Sequence, residues 1–223
     1  MFAIIKKELK SYLLSPIGYV FMGLFLLMFS IFFYQTIFQY QSTNFENLFY
    51  NGATILTFIT PVLTMRMFAE ERKNGTEQLI LTSPRSITSV VLGKFFAAAI
   101  VMLITELLTL MYFAILAYFG NPSLVVALST LLGFFLLSMA YISFGMFASS
   151  LTENQIVASV LTIGVFLAMW FMPTTNELFS LIYKFENFPM GLISISEIVT
   201  FVSFTVLFIL LTIIVLQRRK SVK

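Results

Sequence analysis

The sequence predicts an all-α integral membrane protein, with six transmembrane helices preceded by an interfacial helix. Three observations predict it. The chain is 59% hydrophobic and only 10% charged, whereas a soluble domain carries about 25% charged residues. Six apolar stretches approach the length that crosses the roughly 30 Å hydrocarbon layer. Twelve of the 13 basic residues share one face of the membrane if the chain crosses six times.

The first element is MFAIIKKELKSYLLSP. Phe2, Ile5, Leu9, Tyr12 and Leu13 recur at steps of three or four, with Lys6, Lys7 and Lys10 on the other side. That pattern predicts a helix over residues 1–15 lying flat on the inner leaflet, its lysines among anionic headgroups. Ser15-Pro16 separates this helix from the first span. The alternative is a cytoplasmic extension of that span. The apolar run after Pro16 is too long for a signal peptide and lacks a small-residue cleavage site, so an uncleaved anchor is expected.

The spans are Ile17–Phe38, Leu48–Phe68, Val90–Tyr118, Leu124–Ser149, Ile156–Pro173 and Glu197–Leu216. The third exceeds what a crossing needs, and Lys94 places its start in the interface. Gly120-Asn121-Pro122 makes a tight turn, and Pro173 ends the fifth span. Lys6, Lys7 and Lys10 precede span one. Arg66, Arg72, Lys73, Arg85 and Lys94 surround the connection between spans two and three. Arg218, Arg219, Lys220 and Lys223 follow span six, leaving only Lys184 on the other face. The positive-inside rule then puts both termini in the cytoplasm. The net charge of +3 is thus a topology signal, not the footprint of a nucleic-acid binder.

The residue inventory excludes much chemistry. There is no Cys, His or Asp, so the side-chain carboxylates are the ten Glu. Disulfides, thiol catalysis, ordinary zinc sites and imidazole acid–base catalysis are absent. No catalytic pair is visible.

The stretch FAEERKNGTEQLILTSPRS, residues 68–86, holds six of the 23 charged residues: Glu70, Glu71, Arg72, Lys73, Glu77 and Arg85. Ala69–Lys73 extends span two beyond the membrane. Asn74-Gly75 stops it, where left-handed backbone is inexpensive. Thr76 is placed to N-cap a new turn, with Glu77 at the positive dipole end. The short helix Glu77–Thr82 shows Leu79, Ile80 and Leu81 to something apolar. Ser83-Pro84 ends it, and Ser86 caps the entry to span three. A loop that only fixes topology needs basic residues, because acidic ones contribute little to the rule. Glu70, Glu71 and Glu77 therefore need another purpose. Apolar groups rimmed by charge mark contact surfaces, so this hairpin tip is read as a protein-docking site.

Three motifs carry a family resemblance. They are FAEERKNGTEQLILTSPRSITSVVLGKF, then ASSLTENQIVAS (residues 148–159), then FENFPMGLISISEIVTFVSFTVLFILLTIIVLQRRK (residues 185–220). As an ordered set with six spans they resemble the permease subunits of type-2 ABC exporters. More narrowly, they resemble the gliding-motility and nitrous-oxide-reductase-maturation permeases. The resemblance implies that residues 69–86 form a cytoplasmic coupling helix hairpin gripped by a separate ATPase. Glu70, Glu71 and Arg72 would make polar contacts at its base, and Leu79 and Leu81 would be the buried anchors. Thr82, Ser83 and Pro84 would set the turn, with Gly75, Thr76, Glu77 and Arg85 completing the segment. Leu151, Thr152, Glu153, Asn154 and Gln155 would form a second, smaller contact.

The resemblance further implies a single permease domain over residues 1–223, working as a homo- or heterodimer in the bacterial inner membrane, with export as its direction. ATP and Mg would be bound by the partner ATPase. This chain has no phosphate-binding loop, since its Gly93-Lys94 pair has Thr88 and Phe95 where glycine and Ser/Thr are required.

Inside the membrane, Glu106 sits near the middle of span three. An ionisable group there costs about 2.5–3.5 kcal/mol to insert. It either bonds a neighbouring helix, through Thr105 or Thr109, or lines a transport path or dimer seam. Asn51, Thr54, Thr57, Thr60 and Thr64 recur along span two and read as helix packing. So do Gly133, Ser138, Gly145 and Gly164, whereas the many Phe residues read as lipid-facing. Residues 174–196 are too apolar for a free loop, and the resemblance implies a re-entrant outer segment there. Rival readings are a non-transporting membrane anchor, an ion-coupled carrier using Glu106, and an intramembrane enzyme. The carrier is disfavoured because no internal repeat is evident.

Overall fold

The computed structural model describes residues 1–39, 45–82, 85–171 and 181–221, and every regular element among them is helical. Helix α1 (Phe2–Leu14) meets α2 (Pro16–Tyr34) at Ser15, whose backbone is extended. Pro16 opens α2 because its fixed φ suits a first helical position and its missing N–H is not needed there. A π-helical turn, Gln35–Gln39, follows. The next helices are α3 (Phe45–Thr64), α4 (Ala69–Lys73) and α5 (Glu77–Thr82). Then come α6 (Ile87–Leu108), α7 (Leu110–Phe119), α8 (Leu124–Leu151) and α9 (Gln155–Phe171). The chain closes with α10 (Leu181–Phe185), a 3-10 turn at Phe188–Met190, and α11 (Ile195–Ser221).

Five helical runs are long and apolar enough to cross a membrane: Pro16–Ile37, Phe45–Lys73, Ile87–Phe119, Leu124–Leu151 and Ile195–Ser221. The fifth expected span appears as the shorter α9, of 17 residues. That is about 26 Å at the helical rise, the low end of a crossing length. Its expected end at Pro173 lies outside the described residues. The third expected span is not one straight helix, since α6 and α7 are separated by a break at Thr109. Of the outer segment, residues 174–180 lie outside the described residues. The remainder forms only the single turns α10 and Phe188–Met190.

Contacts define the two ends of the bundle. Glu8 meets Lys94, and Arg219 meets Glu77, so both termini gather with the α4–α5 segment at one end. At the opposite end, Ser129 of α8 donates to the Phe188 carbonyl (2.9 Å). Helix α3 is the most enclosed of the long runs, and α2 and α11 are the most open. Where α3 crosses α8, a Cβ on Gly145 would come within 2.2 Å of Thr64 Oγ1. Thr57, Thr60 and Thr64 are all buried along α3. The small residues thus let two backbones approach, as membrane helix packing requires. Gly164 is different: among the described residues no atom lies within 4 Å of where its Cβ would go, so it serves no close packing there.

The lipid-facing reading of the phenylalanines is corrected. Phe21, Phe25, Phe29, Phe45, Phe49, Phe134, Phe166, Phe185, Phe188 and Phe201 are fully buried. Phe29 meets Phe49 edge-on at 5.0 Å, Phe49 meets Phe134 at 4.9 Å, and Tyr141 stacks on Phe166 at 3.8 Å. Lipid tails are as apolar as a phenyl ring, so polarity does not sort Phe between lipid and interior, and shape decides. Gly52 and Gly133 leave the space that the rings of Phe29 and Phe188 occupy.

Gly145→Val should therefore force α3 and α8 apart. Overpacking of this kind costs about 1–3 kcal/mol, read as a lowered thermal midpoint in detergent. Gly164→Ala should leave that midpoint unchanged.

Candidate functional site

The site is built on a helix interruption. Pro61 lies inside α3, and regular helix ends at Thr64 before α4 resumes at Ala69. An interrupted helix leaves backbone donors and acceptors that need partners when buried. One hydroxyl on α8 supplies them. Ser149 Oγ accepts from the Phe68 and Ala69 amides, both at 3.1 Å, and donates to the Met65 carbonyl at 2.9 Å. That uses the whole bonding capacity of a serine. Arg66 spans the same interruption with a two-pronged bond to Glu70, at 2.6 and 2.8 Å.

Lys94 supports the hairpin from below. It lies two turns into α6 and is only 4% exposed, with Nζ 2.7 Å from Glu71 Oε1 and 3.3 Å from Glu8 Oε2. The Phe68 ring lies 5.4 Å from the same ammonium, a cation–π contact. A cation buried this deeply needs such partners. Its two carboxylates come from α1 and α4, so Lys94 joins three helices. Tyr12 of α1 donates to the Leu63 carbonyl (3.3 Å). Burial pushes its phenol well above the usual range, so it remains a donor. Between α1 and the α4–α5 segment a cavity of about 430 Å³ opens, with Glu8, Tyr12, Glu71, Leu79 and Lys94 in its wall.

The C-terminal end of α8 is held by two arginines from different helices. Arg72 of α4 pairs with Glu153 (Nε to Oε1, 2.8 Å) and donates to the Leu151 carbonyl (3.3 Å). Arg219 of α11 pairs with Glu77 of α5 (Nη1 to Oε1, 2.9 Å) and donates to the Ser150 carbonyl (2.6 Å). The last carbonyls of a helix have no partners within it and carry the negative end of its dipole, which favours cations there. Asn154 then starts α9, accepting from the Ile156 amide at 2.9 Å, and its own amide bonds Thr152 Oγ1. Gln155 is the first residue of α9.

This geometry assigns the expected docking residues differently from one another. Glu70, Glu71, Arg72, Glu77 and Glu153 are all paired within the chain, so the carboxylates that topology leaves unexplained are internal counter-ions. Leu79 remains open to the surroundings, 72% exposed on α5. Leu151 and Ile156 are also exposed on the neighbouring connection. Gly75 has φ +72°, the left-handed stop expected of it. The Thr76 hydroxyl is corrected in role: it donates back to the Glu71 carbonyl (3.2 Å), and the Leu79 amide bonds the Thr76 carbonyl instead. Thr82 bonds back to Gln78, and Arg85 is exposed. The Leu81 side chain and the residues Ser83 and Pro84 lie outside what is described. Ser86 caps α6, accepting from the Ser89 amide (3.3 Å).

Glu106 lies twelve residues beyond Lys94 on α6 and is only 3% exposed, and neither carboxyl oxygen has a hydrogen-bond partner among the described residues. The hydroxyls expected to serve it are occupied elsewhere: Thr105 donates to Val101, and Thr109 to the Glu106 carbonyl. At the opposite end, Glu197 is buried against Asn187 and keeps one oxygen without a partner.

Sequence reasoning misses Glu8, Lys94, Ser149 and Arg219 as members of the site. It reads Lys94 and Arg219 only as topology charges. Glu8 gives a usable signal, being the single acid among the lysines of α1. Ser149 gives none, because a serine before a helix end is ordinary.

Lys94→Met should leave Glu71 and Glu8 without their cation and destabilise the fold by about 3–5 kcal/mol. Adding Glu71→Gln should recover part of that loss, in a thermal-unfolding double-mutant cycle.

Comparison with known proteins agrees with a membrane component of this kind. No curated protein matches the chain. A family model described as ABC-2 family transporter protein matches residues 34–216, which takes in α3 to α9, the α4–α5 segment and nearly all of the spanning part of α11. The chain is therefore a multi-pass membrane protein belonging to the ABC-2 transporter family.

Proposed function

We propose that this chain is the membrane-spanning subunit of an ATP-driven exporter, and that a separate cytoplasmic ATPase grips it at α5. Two copies, or this chain and a homologue, form the translocation path. The ATPase, not this chain, binds ATP and Mg and performs hydrolysis. Both termini would face the cytoplasm of a bacterial inner membrane, a placement that the basic residues gathered at that end support. The finer kinship to gliding-motility and nitrous-oxide-reductase-maturation permeases rests on the three motifs.

The observation that carries the reading is Leu79. It is a large apolar side chain, mostly exposed, on a six-residue helix whose acidic end is tied down by Arg219. A helix this short does not persist by itself in water. Holding it rigid with a leucine facing outward makes sense when a partner covers that leucine. Leu151 and Ile156 on the adjoining connection extend the same kind of surface. The cavity beside Leu79 gives the partner a recess to enter. The ion pairs keep the hairpin in shape, so their carboxylates are support for the surface rather than the surface itself.

A second reading, proton-coupled transport through Glu106, draws on its buried carboxyl without a partner. Substrate movement in vesicles without any ATPase would be its mark.

Leu79→Asp should abolish capture of the proposed partner ATPase when the two are co-expressed and purified in detergent. The thermal midpoint of the permease should change little, because Leu79 is mostly exposed. An undiminished yield of the complex would overturn the docking role.

A further inference from the structure

We propose that Arg219 is a positioning residue that binds α5, the end of α8 and α11 into one rigid joint, so that force applied at α5 enters the bundle through the last span. The purpose assigned to the joint rests on the docking reading above; its existence does not.

Three observations lead to it. The first is how little else among the described residues holds α5. It is one and a half turns long. Gly75 precedes it at φ +72°, with nothing among the described residues within 4 Å of where a Cβ would sit, and Leu79 faces outward. Such a segment, left to its chain connections, would pivot about the glycine. The second is the geometry of the guanidinium. Its Nη1 serves Glu77 on α5 and its Nη2 serves the Ser150 carbonyl at the end of α8, while its own backbone belongs to α11. Arginine presents a planar fork of donors, which an ammonium does not reproduce. The third is shielding. The Arg219 side chain is 24% exposed and that of Glu77 12%. A pair sheltered to that degree, with charge-assisted bonds on both prongs, holds position better than a solvent-exposed bridge.

The joint has a route into the membrane. Helix α11 packs along α8, with Phe208 meeting Phe144 edge-on at 4.9 Å and Phe147 at 5.5 Å. Arg72 secures the Leu151 carbonyl beside Ser150, so the α8 end is pinned from both α4 and α11. Displacing α5 therefore drags α8 and α11 together.

The chain has no cysteine, which makes the test direct. Gln78 on α5 and Gln217 on α11 are both exposed, and Gln78→Cys with Gln217→Cys allows spin labels at the two. The full-length chain is diluted with unlabelled chain in nanodiscs, so that each assembly carries one labelled copy, and the distance distribution is read by double electron–electron resonance. The otherwise unaltered chain should give one narrow peak. Arg219→Ala and, independently, Glu77→Gln should each lose it to a broad distribution. Arg219→Lys should not restore it, since it keeps the charge without the fork. Lys220→Ala, which removes a neighbouring charge, should leave the peak intact. A narrow peak retained in Arg219→Ala, or one lost equally in Lys220→Ala, would overturn the proposal. A residue that merely stabilised the fold would lower the thermal midpoint and leave the peak narrow. Because the ATPase takes no part in this measurement, its failure and the failure of the docking reading are separate results.

Discussion

The end of α8 is the point on which the rest of this arrangement depends. A helix that finishes near the membrane surface presents carbonyls without partners and the negative end of its dipole. Here Arg72 and Arg219 close on the carbonyls of Leu151 and Ser150. Just before them, Ser149 repairs the interruption between α3 and α4. Each arginine also holds a carboxylate, so the backbone capping and the ion pairing are one structure. The α4–α5 segment, the α8–α9 connection and the end of α11 are all fixed relative to that single helix terminus.

This explains how so apolar a chain tolerates so dense a group of charges. The ion pairs found among the described residues lie at this end, where Lys7, Arg66, Arg72, Lys94 and Arg219 face carboxylates from the chain itself. Lys94 is nearly sealed from solvent, yet it has two carboxylates and an aromatic face as neighbours. Partly buried charges are tolerated when paired and hydrogen-bonded, and are costly otherwise. The cluster is accordingly a scaffold. What it displays is apolar: Leu79 on α5, with Leu151 and Ile156 alongside.

Much of this is legible in the sequence, for physical reasons that also explain what is not. Hydrophobic length locates the long helices, because a bilayer demands about 20 residues whatever the packing. Asn74-Gly75 and Ser86 mark the stop and start around the hairpin, because those roles use local backbone chemistry. The interior of the bundle is not legible, and the buried rings of Phe25, Phe29 and Phe134 pass for lipid contacts. A one-dimensional pattern reports polarity contrast, and between lipid and a membrane-protein core there is almost none. In the site, Glu70, Glu71 and Glu77 stand out in the sequence as acids that topology does not explain, and in the fold they are paired within the chain. Arg66 lies only four residues from Glu70, but Lys94 lies 23 from Glu71 and Arg219 lies 142 from Glu77, and only the folded chain reveals those distant pairings. The role of Ser149 is invisible for the same reason, since its value comes from facing an interruption in another helix.

The central claim is that α5 is held rigid in order to be gripped by an energy-supplying protein. The most direct measurement places a photo-crosslinking amino acid at position 79 and irradiates membranes containing the chain together with the ABC ATPase proposed as its partner. The account predicts a crosslink to the ATPase from position 79, and none from a lipid-level position such as Val206, which is exposed on α11. Efficient labelling of lipid or water at position 79, with the ATPase present and never captured, would contradict it.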